Sequence, residues 1–414
     1  MSKDKPARVY HADLWGTREH KYKWLESHDV ANTPWKEIEP LPELYLFVPR
    51  EEEELERYNT FSSVTDIFEK YSVGIVTARD HLTIHWTPEQ VWITVLNFSR
   101  MDPELARQAY QLGDKVSTER IQRAQKDVSD PSRDKVVPIL YRPFDVRYTY
   151  YTGQANGFHE RPRPEVMRHM LAGENLALIV PRLNKGDFGA FTTMNVGGHK
   201  TVAAFDINYY FPLYLYPDAA PQTMFGTSEP KERRPNIKPG VFECLAGAYG
   251  EAPTPERVFC YIYAALYAPS YRTKYADFLR LDFPRIPFTS DYDLFEQMAA
   301  LGNRLVDLHL LRSAELDPPI ARFQGEGDGK VATGKKGVRY DPESARVYIN
   351  ETQYFEGVPP EVWEYQIGGY QVCHKWLKDR QDRKLSLAEI RTYCRIVTAS
   401  PKPLTFSKKS VNFT

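Results

Sequence analysis

The pattern of apolar and polar positions is most regular between residues 136 and 215, where it predicts strands. Residues 136–141 are mostly apolar, and apolar and polar side chains then alternate over residues 146–151. Successive side chains of a strand point to opposite faces of its sheet. The alternation therefore predicts that Arg147, Thr149 and Tyr151 share an accessible face. Tyr148 and Tyr150, on the opposite face, are predicted to lie in the core.

Two continuous apolar runs, residues 176–180 and 202–207, predict further strands that are buried on both faces. Between these runs, residues 182–189 are polar and contain glycine, which indicates a loop. Loops on a rigid sheet tolerate changes of sequence, so we expect recognition residues in this part of the chain.

Helical patterns lie on both sides of the strand region. Thr87-Pro88 opens a helix through Phe98, Thr254-Pro255 opens another, and apolar residues recur at helical spacing over residues 293–311. A capping box at residues 386–389 opens the last helix. Strands followed by helices predict an α+β fold, with a mixed sheet and a helical C-terminal part.

Composition supports a folded protein without an overall attraction to nucleic acid. The 414 residues are 42% hydrophobic and 13% aromatic, and the formal net charge is −1. Contact with DNA would therefore depend on local charge asymmetry. Such asymmetry exists, because residues 141–200 carry eight Arg and Lys against five Asp and Glu, and residues 374–414 carry ten against three.

The four cysteines, at positions 244, 260, 373 and 394, have no CxxC spacing and no matching pair of histidines. This spacing indicates neither a metal site nor a disulfide framework, and we expect buried thiols in a reducing cytoplasm. The chain opens with no signal-peptide pattern, and its uncharged apolar runs are too short to span a bilayer. We therefore expect a cytoplasmic protein without a membrane partner.

Residues 141–153, YRPFDVRYTYYTG, and residues 157–182, GFHERPRPEVMRHMLAGENLALIVPR, carry a family resemblance, which residues 8–25, 61–84, 281–288 and 348–380 extend. The sequence resembles the C-terminal specificity region of type ISP restriction-modification enzymes and related N6-adenine DNA methyltransferases. The resemblance implies a mixed-sheet target-recognition domain that binds duplex DNA at a short asymmetric sequence and orients it for methylation.

The sequence contains none of the catalytic motifs that such enzymes need. An adenine methyltransferase needs an Asn/Asp-Pro-Pro-aromatic loop and a Gly-rich turn, whereas Asp317-Pro318-Pro319-Ile320 has isoleucine in the aromatic position. No nuclease or hydrolase pattern is present either. We expect no catalytic residue and no cofactor in this chain, and the resemblance implies that S-adenosylmethionine would bind a methyltransferase core outside it. Whether the chain takes part in an enzyme is left open.

Arginine side chains can grip phosphates, and amides and cationic side chains on a loop can read base edges. The candidate phosphate contacts are Arg142, Arg147, Arg161, Arg163, Arg168 and Arg182. The candidate base-reading residues are Asn184, Lys185, Thr193, Asn195, His199 and Lys200.

The expected organisation has five parts: a methyltransferase-junction arm (1–35), a target-recognition core (36–217), a linker or insertion (218–240), a helical region (241–330) and a C-terminal α/β segment with a frayed tail (331–414). The expected partners are double-stranded DNA and a methyltransferase core or subunit. An alternative function is a protein-interaction subunit, or a truncated fragment, that docks on a separate methyltransferase. The N-terminal arm and the apolar stripe of residues 293–311 favour that alternative.

Overall fold

The computed structural model describes residues 7–14, 16–40, 47, 52–217 and 232–400. The chain divides into two compact units, Met1–Thr60 and Phe61–Thr414. Residues 218–231 of the predicted linker and the predicted frayed tail after residue 400 lie outside the described residues. The five predicted parts stay a prediction.

The first unit contains a small antiparallel ribbon and two helices. Its elements are β1 (Val9–His11), α1 (Arg18–Ser27), β2 (Lys36–Ile38) and α2 (Glu52–Asn59). Strand β1 pairs with β2, and the Thr17 side chain caps α1 by accepting a hydrogen bond from the His20 backbone N–H. Trp24 stacks on His28 with ring centroids 3.9 Å apart. Between the helix and the following turn lies an apolar groove of about 370 Å³.

The second unit is a mixture of short sheets and helices. Its helices are α3 (Val64–Ile67), α4 (Asp80–Thr83), α5 (Pro88–Arg100), α6 (Pro103–Ala109), α7 (Thr118–Asp127), α8 (Pro164–Leu171), α9 (Pro239–Tyr249), α10 (Pro255–Tyr267), α11 (Pro269–Lys274), α12 (Tyr292–His309), α13 (Pro360–Glu364), α14 (Val372–Lys378) and α15 (Leu387–Ala399). Short 3-10 helices span Arg133–Lys135, Phe278–Arg280, Ala314–Leu316 and Gly334–Lys336.

The strands of this unit are short. They are β3 (Ser62–Ser63), β4 (Ser72–Val73), β5 (Val136–Arg142), β6 (Asp145–Tyr150), β7 (Ala177–Pro181), β8 (Phe191–Thr193), β9 (Val196–Gly197), β10 (Asn208–Pro212), β11 (Tyr214–Leu215), β12 (Arg234–Pro235), β13 (Arg285–Ile286), β14 (Arg322–Gln324), β15 (Arg339–Asp341), β16 (Arg346–Tyr348), β17 (Tyr354–Glu356), β18 (Gln366–Ile367) and β19 (Tyr370–Gln371). The predicted α+β fold with a mixed sheet is confirmed.

A four-stranded sheet with the order β4-β10-β7-β8 forms the centre of the unit. Every residue of β7 is buried, which confirms the strand predicted over residues 176–180. The strand predicted over residues 202–207 is wrong, because the strand β10 begins only at Asn208. The Asn208 side chain accepts a hydrogen bond from the Val202 backbone N–H at 2.6 Å, which folds the preceding segment into a loop.

The hairpin of β5 and β6 packs beside this sheet, and β9 pairs with β5 in parallel. The predicted accessible face of β6 is wrong, because Thr149 and Tyr151 are buried. The Thr149 hydroxyl donates to the Thr83 carbonyl oxygen at 2.7 Å, and the Tyr151 hydroxyl donates to the Pro162 carbonyl oxygen. The end of helix α4 and the segment before α8 therefore cover the face that alternation alone would leave open to solvent.

The C-terminal part joins a helix pair to a second four-stranded sheet. Helix α10 packs on α12 at Gly302, where a Cβ atom would lie 1.8 Å from the Cys260 carbonyl oxygen. The second sheet has the order β14-β17-β16-β15 and packs on α15. The predicted capping box at Ser386 and Glu389 is confirmed.

All four cysteines are free thiols, and three are buried, whereas Cys244 is exposed, contrary to expectation. Within the described ranges, no group of three or more His, Cys, Asp and Glu side chains is placed to hold a metal ion. No helix among the described residues is long and apolar enough to cross a membrane.

Candidate nucleic-acid interface

A tight turn between β18 and β19 supports the loop that follows β9. Gly368 and Gly369 both have positive φ angles, 57° and 81°, which glycine adopts without steric cost. A Cβ atom on Gly368 would lie 1.6 Å from the Val202 carbonyl oxygen, so the two backbones touch. The Ala204 N–H donates to the Gly368 carbonyl oxygen at 3.0 Å, and the Tyr370 hydroxyl donates to the Lys200 carbonyl oxygen at 3.0 Å.

The loop of residues 198–207 also contacts the loop of residues 182–188. The Lys185 backbone N–H donates to the Asp206 carboxylate at 2.8 Å, and the His199 backbone N–H donates to the Ile75 carbonyl oxygen at 3.0 Å. The loop after β7 and the loop before β10 leave the same end of the sheet, where Pro181 pairs with Asn208, and together they form one supported surface.

The guanidinium of Arg142 lies beside this surface. It is 4.1 Å from the Tyr141 ring centroid and 5.4 Å from the Tyr370 ring centroid, and it donates to the Tyr141 carbonyl oxygen at 2.6 Å. Lys185 and Lys200 are exposed. None of these three cations has a carboxylate within ion-pair distance among the residues that the structure describes. We call this arrangement the Tyr370 surface: Arg142, Lys185, His199, Lys200 and Phe205 around Tyr370.

His199 is half-buried in the Tyr370 surface. Burial lowers its pKa below the usual value, although the Ile75 carbonyl acts against that shift, and the positive charges of Lys200 and Arg142 lower it further. The imidazole is therefore neutral at neutral pH. Its Nδ1 lies 3.1 Å from the Ile75 carbonyl oxygen, which can only accept, so Nδ1 carries the proton and Nε2 is a hydrogen-bond acceptor.

The other predicted phosphate contacts lie in three places. Arg161 is exposed, and its backbone pairs with that of Val76. Val76 follows Ile75, whose carbonyl oxygen accepts a hydrogen bond from the His199 backbone N–H. Arg163 precedes α8 with a positive φ angle and lies 3.9 Å from the Glu165 carboxylate, and Arg168 is half-buried on the same helix. Arg182 is exposed and forms an ion pair of 2.8 Å with Asp282.

Arg147 lies inside the protein instead of on a DNA-facing surface. Its side chain is 11% exposed and donates to the Asp145 carboxylate at 2.8 Å. Its guanidinium lies between the rings of Trp86 and Tyr141, 3.8 and 3.9 Å from their centroids. Its charge is thus compensated within the fold, and the geometry gives no support to a phosphate contact.

Two of the predicted base-reading residues, Asn184 and Thr193, are buried. Asn184 is buried, and its backbone N–H donates to the Arg280 carbonyl oxygen. Thr193 is buried, and its hydroxyl oxygen accepts from the Asn195 backbone N–H at 3.0 Å, which closes the turn between β8 and β9. A base contact by Asn184 or Thr193 would need a local rearrangement, and for these residues it stays a prediction.

A buried ion cluster behind the surface was missed by sequence reasoning. Asp145 accepts hydrogen bonds from Arg147 and from Arg380, and Arg380 also bonds to Glu389. Burial alone would raise the pKa of Asp145, but the charges of Arg380 and Arg147 hold it below the usual value. A single sequence carries no signal that these distant residues pair.

The family comparison agrees with this architecture. The family described as the Type ISP C-terminal specificity domain matches residues 66–405. The chain belongs to this family. The match begins after the first unit, Met1–Thr60, and covers the whole Tyr370 surface.

Three solved structures resemble the fold of the specificity domain and the unit that precedes it. A DrdV–DNA complex is 21% identical with a TM-score of 0.69, and the match covers 95% of this chain and 42% of that one. A nuclease-deletion mutant of the Type ISP restriction-modification enzyme LlaGI, in complex with a DNA substrate mimic, is 17% identical with a TM-score of 0.68, covering 96% and 32%. The ATP-dependent Type ISP restriction-modification enzyme LlaBIII bound to DNA is 18% identical with a TM-score of 0.65, covering 88% and 25%.

The chain thus spans less than half the length of these structural neighbours. No curated protein matches its sequence.

Proposed function

We propose that this specificity domain recognises duplex DNA through the Tyr370 surface, as the target-recognition module of a type ISP-like restriction-modification system. The observation that carries the proposal is the grouping of Arg142, Lys185 and Lys200, three cations without a carboxylate partner among the described residues, on a supported backbone. The three structural neighbours are complexes with DNA or a DNA substrate mimic, which supports the same conclusion.

The side chains of this surface suit different parts of a duplex. Arg142 and the two lysines suit phosphates, because each adds an uncompensated positive charge. The neutral His199 suits a base edge, because its Nε2 acceptor can receive the amino group of adenine or cytosine in the major groove. Arg161, which is exposed, is a further candidate phosphate contact, whereas the exposed Arg182 already pairs with Asp282.

In this proposal, a methyltransferase core, and not the specificity domain, carries out the methylation. The domain would hold the duplex for an N6-adenine methyltransferase core, and that core would bind S-adenosylmethionine. This division is consistent with the absence of an Asn/Asp-Pro-Pro-aromatic loop in the sequence. The proposed place of action is the cytoplasm.

A titration of the full chain against a fluorescently labelled duplex, repeated at increasing salt, tests the proposal. We expect the logarithm of the affinity to fall linearly with the logarithm of the salt concentration. Replacing Arg142, Lys185 and Lys200 by glutamine should reduce that slope by about 2.7, or about 0.9 for each lost phosphate contact.

The matched control is Arg304→Gln, which removes an arginine that already pairs with Glu315 at 2.6 Å. The control should keep the slope of the original chain. Binding without any dependence on salt, or no binding at low ionic strength, would overturn the proposal.

A second candidate function, docking on a separate methyltransferase, is favoured by the apolar groove of the first unit. The groove is lined by Leu14, Trp24, Leu25, Val30 and Trp35, and Leu25 and Val30 are exposed. Exposed apolar patches of this kind mark protein interaction sites.

This candidate is tested by co-purification, after nuclease treatment, with a methyltransferase that lacks its own specificity part. Leu25→Glu should abolish co-purification, whereas Tyr22→Glu, on the same helix and outside the groove lining, should not. Equal recovery of both variants would contradict docking through the groove.

A further inference from the structure

Phe205 and Ile207 are two large apolar side chains that project into solvent from the loop of residues 198–207. Phe205 is 70% exposed and Ile207 is 49% exposed. Asp206 between them is buried, and the backbone N–H of Ala204 before them donates to the Gly368 carbonyl oxygen at 3.0 Å. The loop therefore alternates inward and outward side chains and presents the two apolar ones together.

The backbone under these side chains is supported on both sides. Asp206 accepts the Lys185 backbone N–H at 2.8 Å, and the Asn208 side chain accepts the Val202 backbone N–H at 2.6 Å. The Phe205 ring lies next to the tight turn, since a Cβ atom on Gly369 would be 4.0 Å from the ring. The exposed ring is therefore attached to a backbone segment that hydrogen bonds hold in place on both sides.

The loops around the ring carry exposed lysines. Lys185 lies in the neighbouring loop, where its backbone N–H donates to Asp206, the residue after Phe205. Lys200 lies five residues before Phe205 in the same loop. Lysine is depleted in the core of protein–protein interfaces, whereas apolar side chains flanked by cations are what minor-groove proteins insert between base steps. The chemistry therefore favours duplex DNA over a protein as the group that covers Phe205.

We propose that Phe205 inserts between neighbouring base pairs of the bound duplex, with Ile207 against the adjacent sugar edge, and kinks the DNA. This inference rests on the proposed function and adds a means of recognition to it. A wedge makes the affinity depend on how easily a base step unstacks, so DNA positions that no side chain touches also influence binding.

The test uses the full chain and two 15-base-pair duplexes that are end-labelled with a donor and an acceptor dye. One duplex is fully paired, and the other has a single central mismatch, which unstacks more easily. We expect the original chain to raise energy transfer on binding and to prefer the mismatched duplex by about tenfold, because part of the unstacking cost is removed. Phe205→Ala should lose the preference and the rise in energy transfer, while keeping the salt slope.

Phe205→Leu should retain part of the preference, because it keeps an apolar wedge. Leu105→Ala is the matched control, since Leu105 is a similarly exposed apolar residue on α6. If Phe205→Ala and Leu105→Ala behave alike while the original chain binds DNA in a salt-dependent manner, the wedge is overturned and the proposed function stands. If Phe205→Ala instead loses only co-purification with a methyltransferase, Phe205 contacts protein and the wedge is likewise overturned.

Discussion

Asp145 and Arg380 are 235 residues apart in the sequence, and their side chains form a hydrogen-bonded ion pair of 2.9 Å. The two side chains are only 1% and 4% exposed. Asp145 begins β6 after a two-residue turn from Arg142, the last residue of β5, and Arg380 follows the helix that begins just after Tyr370. The pair therefore holds Arg142 and Tyr370 at their observed spacing.

Replacing Asp145 should strongly destabilise the second unit. Asp145→Asn removes one of the two carboxylates that pair with the buried guanidinium of Arg380 and leaves Glu389, and breaking a buried pair in this way costs about 3–5 kcal/mol of the free energy of unfolding. Urea unfolding measures the change. Glu315→Gln, which breaks a more exposed pair with Arg304, should cost less than about 1 kcal/mol, and similar losses for the two variants would contradict the assignment.

Stability should fall in mild acid because of two buried histidines. Burial, with the nearby charge of Arg79, lowers the pKa of His159 to about 3, and burial, with Arg272, lowers the pKa of His309 to about 3. The unfolded chain takes up these protons below about pH 6.5, so the contribution is complete above that pH and is lost as the pH falls towards 3.

Each of these histidines should add about 1.4 kcal/mol per pH unit to the dependence of stability on pH. Urea midpoints between pH 6 and pH 4 provide the measurement, and His159→Gln should reduce the slope by that amount. A slope that is the same in the variant would show that His159 is protonated in the folded protein.

Arg142 and Arg147 are five residues apart, but we expect their loss to have opposite effects. Arg142→Gln should reduce the salt slope of DNA binding by about 0.9 and leave the unfolding free energy nearly unchanged. Arg147→Gln should lower the free energy of unfolding by about 1.5–3 kcal/mol, because it removes charged hydrogen bonds to Asp145, and should keep the salt slope. Anisotropy titrations and urea unfolding of both variants separate the two roles, and an exchange of the effects would place the DNA contact at Arg147.

The turn at Gly368 should not accept a side chain. Gly368→Ala places a Cβ atom against the Val202 carbonyl oxygen in a backbone conformation with positive φ, so the loop of residues 198–207 must move away from the turn. We expect faster proteolysis of that loop and weaker DNA binding. Gly240→Ala is the control, since nothing lies within 4 Å of a Cβ atom there, and equal proteolysis of the two variants would contradict the close approach.

Local signals predicted the local elements well. The Thr87 and Ser386 caps and the apolar run of β7 form where the sequence indicates, because neighbouring residues decide them. The accessible face of β6 could not be predicted, because Thr83 covers it from another part of the chain. The same limit applies to the candidate site. Trp86 and Asp145 bind Arg147 inside the protein, and Phe205 is exposed on a loop where the sequence pattern predicts a strand.

The two loops of the Tyr370 surface are held in place largely by main-chain groups. The Lys185, His199 and Ala204 N–H groups donate, and the Lys200 carbonyl oxygen accepts. Backbone atoms are the same in every amino acid other than proline, so substitutions at positions 185, 199 and 200 leave these anchors intact. If the proposed function holds, evolution can exchange the outward side chains, and with them the preferred DNA sequence, without having to rebuild the scaffold.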